Sequence, residues 1–184
     1  MIGAGDVKKG MVIDLDGKLC QVIDFQHVKM KHHALIKVKL KDIRLGHITE
    51  DSFPNTEKLA RARLDYRPMQ YLYRDGELYH FMDQENYEQI SLDAEKLRDA
   101  VNYMIDDMSL EVFSYNSEVL GVKLPDTVEL EVAETGPAYK GDTAASAAKP
   151  AKMETGVTIQ VPYFVSTGDK IRVDTRSGLY IERL

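Results

Sequence analysis

The residues best suited to chemistry are the cationic side chains between His27 and Lys41. This stretch, HVKMKHHALIKVKLK, holds five lysines, three of the five histidines of the chain and no acidic residue. Lysine ammonium groups neutralise phosphates and release counterions, and imidazoles stack on bases or hydrogen-bond to them. These residue types favour contact with a nucleic acid, although basic strand faces are also common on proteins that bind none.

His27, His32 and His33 are also the best candidates for metal ligands. Their spacing matches no standard zinc pattern, no cysteine lies among them, and the neighbouring lysines repel a cation. The sequence has no phosphate-cradling glycine loop and no Gly-x-Ser-x-Gly elbow. We therefore expect no metal, no cofactor and no catalytic residue. A metal- or small-molecule-dependent enzyme centred on these histidines is one alternative.

Charge is distributed unevenly along a chain whose net charge is −6. Residues 1–63 hold 12 Lys and Arg against 8 Asp and Glu, a net of +4, whereas the remainder holds 12 against 22, a net of −10. Such asymmetry favours oriented docking to a polyanion. The basic excess is modest, however, and an uneven solvated surface explains it at least as well.

The single cysteine, Cys20, rules out an internal disulfide and fits a reducing compartment. It lies in an apolar strand, so we interpret it as a small buried hydrophobe. The first 18 residues contain no long apolar run, so neither a signal peptide nor a membrane span is expected there. We expect a cytoplasmic protein with no membrane contact.

Hydrophobic periodicity predicts strands along most of the chain. The run ALIKVKLK alternates strictly, with Ile36, Val38 and Leu40 on one face and Lys37, Lys39 and Lys41 on the other. Period two predicts a half-buried strand with a cationic outer face. Hairpin turns are predicted at Asp16-Gly17, at Asp75-Gly76 and near Asn116. One helix is predicted in residues 91–106, with Ser91 as its N-cap.

Three small β units follow from this pattern: residues 1–63, 64–126 and 127–184. The last contains a segment rich in Ala, Gly, Ser and Thr, TGPAYKGDTAASAAKPAK, which predicts a long loop. Pro162 predicts an edge position or a bulge in its strand. The expected fold class is all-β, built from small barrels. Barrels of this size often bind nucleic acids, but the fold alone assigns no function.

The C-terminal third carries a more specific pattern. The run KPAKMETGVTIQVPYFVSTG, from Lys149 to Gly168, resembles the signature of the bacterial elongation factor P family. The matching positions are Lys149, Ala151, Gly156, Ile159, Val161, Pro162, Val165 and Gly168. The runs VELEVAETGPAYKGDTA, KIRVDTRSGLYIERL and MQYLYRDGELYHFMDQENYEQI are similar to that family too, so the resemblance covers the whole chain.

The resemblance implies an SH3-like or KOW-like N-terminal barrel followed by two OB-fold barrels, in an L shape that mimics tRNA. It implies a translation elongation factor that is not an enzyme. Such a factor binds the ribosome between the peptidyl and exit sites, beside the peptidyl-tRNA. It promotes peptide-bond formation when consecutive prolines stall translation. We also expect a monomer.

The resemblance implies a functional hairpin tip in the first unit, and here the sequence departs from the family. The usual tip resembles Lys-Pro-Gly-Lys-Gly, whereas VKMKHHA lacks both glycines and the proline and is one residue shorter. Counting back from Ala34 places Lys31 at the tip, with Lys29 as the alternative. Family members often carry an enzyme-attached group there, so a modifying enzyme is a further expected partner. The loop facing the tRNA acceptor end would comprise Lys29, Met30, His32 and His33.

Two further sites are implied in the third unit. Gly141, Asp142 and Thr143 match a loop that approaches the exit-site codon, although their composition also fits an ordinary loop. Arg176, Tyr180 and Arg183 are expected to contact the ribosome or tRNA, with Tyr180 equally suited to the core.

A general single-stranded RNA-binding β-barrel protein is the other alternative. Such proteins stack bases on aromatic residues along a basic groove. In this chain the tyrosines fall mostly in the acidic central unit, which weighs against that interpretation.

Overall fold

The computed structural model of the chain describes residues 1–29, 34–137 and 148–184. Strands dominate these residues, and the helices among them are short: α1 (Ala94–Leu97) and two 3-10 helices, Ala4–Asp6 and Arg98–Asn102. The predicted all-β class is confirmed.

The first sheet has six strands in the order β1-β6-β2-β3-β4-β5. The strands are β1 (Ile2–Gly3), β2 (Val12–Leu15), β3 (Lys18–Lys29), β4 (Ala34–Asp42), β5 (Ile48–Pro54) and β6 (Lys58–Ala62). The turn between β2 and β3 is Asp16-Gly17, with φ of 52° and 86°. Two successive positive φ values define a type I′ hairpin turn, so this predicted turn is confirmed.

Strand β4 has the predicted alternation. Ile36, Val38 and Leu40 are at most 1% exposed and lie in one apolar cluster with Cys20 and Val22. The lysines between them are exposed. Burial raises the pKa of the Cys20 thiol, with a smaller contribution from nearby carboxylates, so the neutral form is favoured. Cys20 is a packing residue, as predicted.

The second sheet has five strands in the order β11-β10-β7-β8-β9. The strands are β7 (Asp65–Asp75), β8 (Leu78–Asp83), β9 (Gln89–Asp93), β10 (Ser109–Tyr115) and β11 (Glu118–Lys123). Asp75 pairs with Leu78, so the first turn comprises Gly76 and Glu77, one residue beyond the predicted position. Asn116 and Ser117 form the second turn, with φ of 48° and 68°.

The predicted helix is much shorter than expected, and its predicted N-cap is wrong. Ser91 lies in β9, because Leu92 is drawn into the sheet opposite Tyr79 and is 5% exposed. Asp93 is the N-cap instead, and its carboxylate accepts a 3.0 Å hydrogen bond from the backbone N–H of Lys96. Helix α1 ends at Leu97, because the φ of 51° at the following residue, Arg98, is incompatible with a continuing α-helix.

The third sheet has five strands in the order β14-β13-β12-β15-β16. The strands are β12 (Thr127–Thr135), β13 (Ala148–Met153), β14 (Thr158–Pro162), β15 (Lys170–Asp174) and β16 (Tyr180–Arg183). Pro162 ends the edge strand β14, where it lies opposite Ala148 of β13, so its predicted edge position is confirmed. Residues 138–147 of the predicted long loop lie outside the described residues. The prediction is wrong for residues 148–152, which belong to β13 because they pair with both β12 and β14.

The described chain forms two compact units: residues 1–66 with 113–120, and residues 67–112 with 121–184. Within the first unit, the turn between β10 and β11 is held by Phe113 and Leu120, which pack with Leu19. Arg44 also pairs with Glu118 at 2.8 Å. The division into three domains stays a prediction. None of the helices in the described ranges is long and apolar enough to cross a membrane.

The lysine and apolar faces of β4 should differ sharply in their effect on stability. We expect Leu40→Ala to lower the free energy of unfolding by about 2–5 kcal/mol, because it removes a fully buried side chain. The neighbouring Lys41→Ala should change it by less than about 0.5 kcal/mol. Urea denaturation followed by circular dichroism measures both. Equal effects of the two variants would contradict the assigned faces.

Candidate nucleic-acid interface

Lys37, Lys39 and Lys41 stand in line on the exposed face of β4, but they are not its only charged residues. The strand register places Asp24 of β3 and Glu50 of β5 directly opposite Lys39. Opposite residues of paired strands project to the same face. Two carboxylates therefore flank the central lysine, which lowers the positive potential at that point.

The outer two lysines have neutral neighbours. Lys37 lies opposite Gln26 and Ser52, and Lys41 lies opposite Gln21 and Ile48. An open groove of about 360 Å³ runs over this face. It is lined by two lysines, Lys37 and Lys39, by three carboxylates, Asp24, Glu50 and Asp51, and by Phe25, Gln26, Val38 and Ser52. A shallow, open groove with charges of both signs suits an extended polymer better than an enclosed small molecule, and the two outer lysines of β4 remain the candidates for phosphate contacts.

A β-bulge decides which residues of β3 share this face. Val22 pairs with Leu40, but Asp24 pairs with Lys39, so Ile23 is an extra residue in the ladder. Beyond the bulge, Asp24 and Gln26 project outward with the lysines. The acidic neighbours of Lys39 are separated from it in sequence, and sequence reasoning missed them because no local pattern indicates the register.

Lys29 lies on the other face of the same sheet. It ends β3, is exposed and pairs with Ala34, which shares its face with Ile36 rather than with Lys37. The same face of β3 carries Phe25 and His27, whose rings meet edge to face at 5.7 Å. The remaining predicted tip residues, Met30, Lys31, His32 and His33, lie outside the described residues.

No group of three or more His, Cys, Asp or Glu side chains that could hold a metal ion occurs within residues 1–29, 34–137 and 148–184. Two of the three histidines considered above, His32 and His33, fall outside those ranges. His27 is exposed near the end of β3.

The predicted arginines of the third sheet already have intramolecular partners. Arg176 is exposed and contacts Asp174 at 3.2 Å and Asp126 at 3.9 Å. Arg183 contacts Asp169 at 3.5 Å, and its guanidinium lies 5.2 Å from the centroid of the Phe164 ring. An arginine has five donors, so these contacts leave others for a further partner.

Tyr180 occupies a different environment from the two arginines. It is half-buried and packs against the apolar cluster of the third sheet. Tyr180 and Arg183 share β16, whereas Arg176 lies in the loop that precedes it. The predicted codon-side residues Gly141, Asp142 and Thr143 lie outside the described residues. Phe164, which supports Arg183, carried no sequence signal.

Asp174 is the most strongly perturbed carboxylate of this region. The Arg176 side chain, followed by the backbone N–H groups of Ser177 and Arg176, lowers the pKa of Asp174 from 3.8 to about 2. Each of these donors favours the ionised form. The loop between β15 and β16 therefore closes around a carboxylate that stays charged at any physiological pH.

Comparisons with known proteins agree with these folds. The model described as "Elongation factor P (EF-P) KOW-like domain" matches residues 3–59, "Elongation factor P (EF-P) OB domain" matches residues 64–122, and "Elongation factor P, C-terminal" matches residues 128–183. A KOW-like domain followed by an OB domain defines a protein of the translation-factor class.

Full-length relatives then identify the family. The chain is 50% identical to elongation factor P of Thermoanaerobacter sp. (strain X514) over 185 residues, covering 100% of both chains. It is 46% identical over 185 residues to elongation factor P of Clostridioides difficile (strain 630), again covering 100% of both. The chain belongs to the elongation factor P family, and its role is that of a translation elongation factor.

A solved structure shares the fold of about two thirds of the chain. Eukaryotic translation initiation factor 5A from Methanococcus jannaschii is similar with a TM-score of 0.53 and 20% identity, covering 67% of this chain and 93% of its own. At this identity the likeness concerns the fold alone.

Arg176→Ala should raise the pKa of Asp174, because it removes the largest stabiliser of the carboxylate. The pKa should stay below 3.8, since two backbone N–H groups still donate to the carboxylate. A depressed folded-state pKa means that this stabilisation is complete above the unfolded pKa and is lost as the pH falls through about 2. A carboxyl NMR titration measures the shift, and an unchanged midpoint would contradict the assignment.

Proposed function

We propose that the chain binds the ribosome beside the peptidyl-tRNA, between the peptidyl and exit sites, and promotes peptide-bond formation at consecutive prolines. The observation that carries this proposal is the match of all three family models along the chain, together with 50% identity to a full-length elongation factor P. A cytoplasmic monomer of three domains, divided as residues 1–63, 64–126 and 127–184, is part of the same proposal.

The proposed first domain, residues 1–63, would contact the acceptor arm of the tRNA through the exposed face of β4. Lys37 and Lys41 are the best phosphate contacts, because no acidic residue lies directly opposite them. Lys39 would contribute less, since Asp24 and Glu50 lower the positive potential around its ammonium group. Phosphate contacts of this kind fix position and orientation without reading base sequence.

The hairpin between β3 and β4 would extend from this face toward the end of the tRNA. Strands β3 and β4 remain paired as far as Lys29 and Ala34, which leaves four residues to connect them. We propose that Lys31, among these four, is the functional residue at the tip, whether bare or extended by an attached group. Histidine tolerates the positive φ of a tight tip better than a β-branched residue does.

The mechanism would be positional rather than chemical. Proline is a constrained nucleophile, and a stalled peptidyl-tRNA is poorly aligned with it. Several contacts to the tRNA reduce the entropic cost of reaching the reactive geometry. The chain would therefore supply no general acid or base, and the ribosome would remain the catalyst. Arg176 and Arg183, which have donors to spare, would help to anchor the third domain.

A general single-stranded RNA-binding function is less well supported. Exposed aromatic residues would have to line the basic groove, yet three exposed tyrosines, Tyr66, Tyr73 and Tyr87, lie in the second sheet and its loops, in an acidic stretch of the chain. The groove on the face formed by β3, β4 and β5 contains one aromatic residue among its lining, Phe25, and this side chain is half-buried.

Lys31→Ala should abolish the relief of stalling on an mRNA that encodes consecutive prolines. The measurement is peptide yield in a reconstituted translation system, with Lys29→Ala as the matched control because Lys29 is equally cationic but lies below the tip. Full relief by Lys31→Ala would refute the tip assignment, and loss with Lys29→Ala alone would assign the role to Lys29. Intact-mass measurement of the native protein would detect an attached group.

The three lysines of β4 should differ in their contribution to tRNA binding. Lys37→Gln and Lys41→Gln should each reduce the slope of log affinity against log salt by about 1, as expected for a lost phosphate contact. Lys39→Gln should reduce it by clearly less. Fluorescence titration with tRNA at several salt concentrations measures the slopes. Three equal reductions would show that Asp24 and Glu50 do not screen Lys39.

A further inference from the structure

Three hairpin loops, one in each sheet, are closed by the same hydrogen bonds. They are Asp42–His47, Asp83–Glu88 and Asp174–Leu179, and each begins with an aspartate. The aspartate carboxylate accepts from the backbone N–H groups two and three residues later. Its backbone carbonyl accepts from the residue four later, and its own N–H donates to the carbonyl five later. All twelve bonds are 2.8 to 3.4 Å long.

The fifth residue of each loop has a positive φ, and here the central loop differs from the other two. Gly46 and Gly178 occupy this position with φ of 75° and 70°, whereas Tyr87 occupies it with φ of 62°. Glycine adopts this conformation freely, but a side chain with a Cβ meets steric resistance there. The other two loops show that glycine closes this structure without strain. The central loop nevertheless has a tyrosine at the same position.

Contacts of the Tyr87 side chain do little to offset this backbone strain. Its side chain is 71% exposed. Within the described ranges, neither its ring nor its hydroxyl has a hydrogen bond, a ring contact or a cation above it. Tyrosine is among the residue types enriched at the anchor positions of protein interfaces, so an exposed tyrosine without such contacts is a candidate anchor.

The charges around Tyr87 identify the chemistry of its partner. Glu85 and Glu88 are exposed on the same loop, and residues 67–112 contain 11 Asp and Glu against 4 Lys and Arg. This region repels phosphate groups and attracts cations. A guanidinium stacks well on a tyrosine ring and forms paired hydrogen bonds with carboxylates. The first and third loops carry Arg44 and Arg176 where this loop carries Glu85, so the acidic character is specific to the central loop.

We propose that Tyr87, with Glu85 and Glu88, is a docking site for an arginine- or lysine-rich polypeptide segment. The site lies on a different sheet from the basic face of β4, which is suited to RNA. That the segment belongs to a ribosomal protein rests on the proposed function. The preference for a cationic segment is inferred only from the residues of the loop, Tyr87, Glu85 and Glu88.

The first test uses the full-length chain and a labelled peptide of alternating arginine and glycine. Tyr87→Gly should weaken peptide binding roughly tenfold, the loss typical of an interface anchor, and Tyr87→Phe should retain most of it because the ring is kept. Thermal unfolding is the control: Tyr87→Gly should melt no lower than the parent, since Gly46 and Gly178 close the same loop. Equal peptide affinity for the parent and Tyr87→Gly would overturn the proposal.

The second test places a photoreactive p-benzoylphenylalanine at position 87 and uses purified ribosomes. The expected product is a cross-link to a lysine- or arginine-rich protein segment. A cross-link to ribosomal RNA, or none despite ribosome binding, would overturn the assignment of the partner. If the parent chain fails to bind ribosomes but Tyr87→Gly still weakens peptide binding, the proposed function fails and the docking site stands.

Discussion

Strand register is the constraint on which the rest of this structure depends. Side chains alternate between the two faces of a strand, so a slip of one residue would exchange the apolar and polar faces. In this chain the register is held by tight turns with positive φ, such as Asp16-Gly17 and Asn116-Ser117, and by loops closed on an aspartate carboxylate. The buried face of β4 and its exposed lysines both follow from the register that these turns impose.

The same constraint shapes the electrostatics of the basic face. The bulge at Ile23 changes the register of β3 part-way along the strand, and Asp24 and Glu50 then flank Lys39. Lys37, Lys39 and Lys41 look equivalent in the sequence, but on this face the outer two carry most of the positive potential. Binding through such a face depends on where the phosphates fall and not only on total charge.

The same loop occurs in all three sheets. Residues that its three copies share are needed to close the loop, whereas residues that differ are free to serve other purposes. An aspartate at the first position and a left-handed residue at the fifth are common to all three loops, so both serve loop closure. The residues between them vary in charge, from Arg44 and Arg176 to Glu85. Variation on a constant scaffold lets each sheet present a different surface to a large partner, and the central, acidic loop is suited to a different kind of contact from the basic face.

The sequence by itself determined the all-β class, the alternating faces of β4, the buried Cys20 and the edge position of Pro162, because each depends on a short-range pattern of side chains. The helix failed as a sequence prediction, since Ser91 and Leu92 belong to β9, where Leu92 is buried, and Asp93 is the N-cap instead. Only the tertiary structure decided that Lys29 lies on the face opposite Lys37, that two acids flank Lys39, and that Tyr87 stands where its counterparts have glycine. The first two features depend on which strands pair and in which register, and such long-range pairings leave no mark in the local sequence. The third depends on local hydrogen bonds, and it is the shared bonding pattern that identifies the three loops as equivalent.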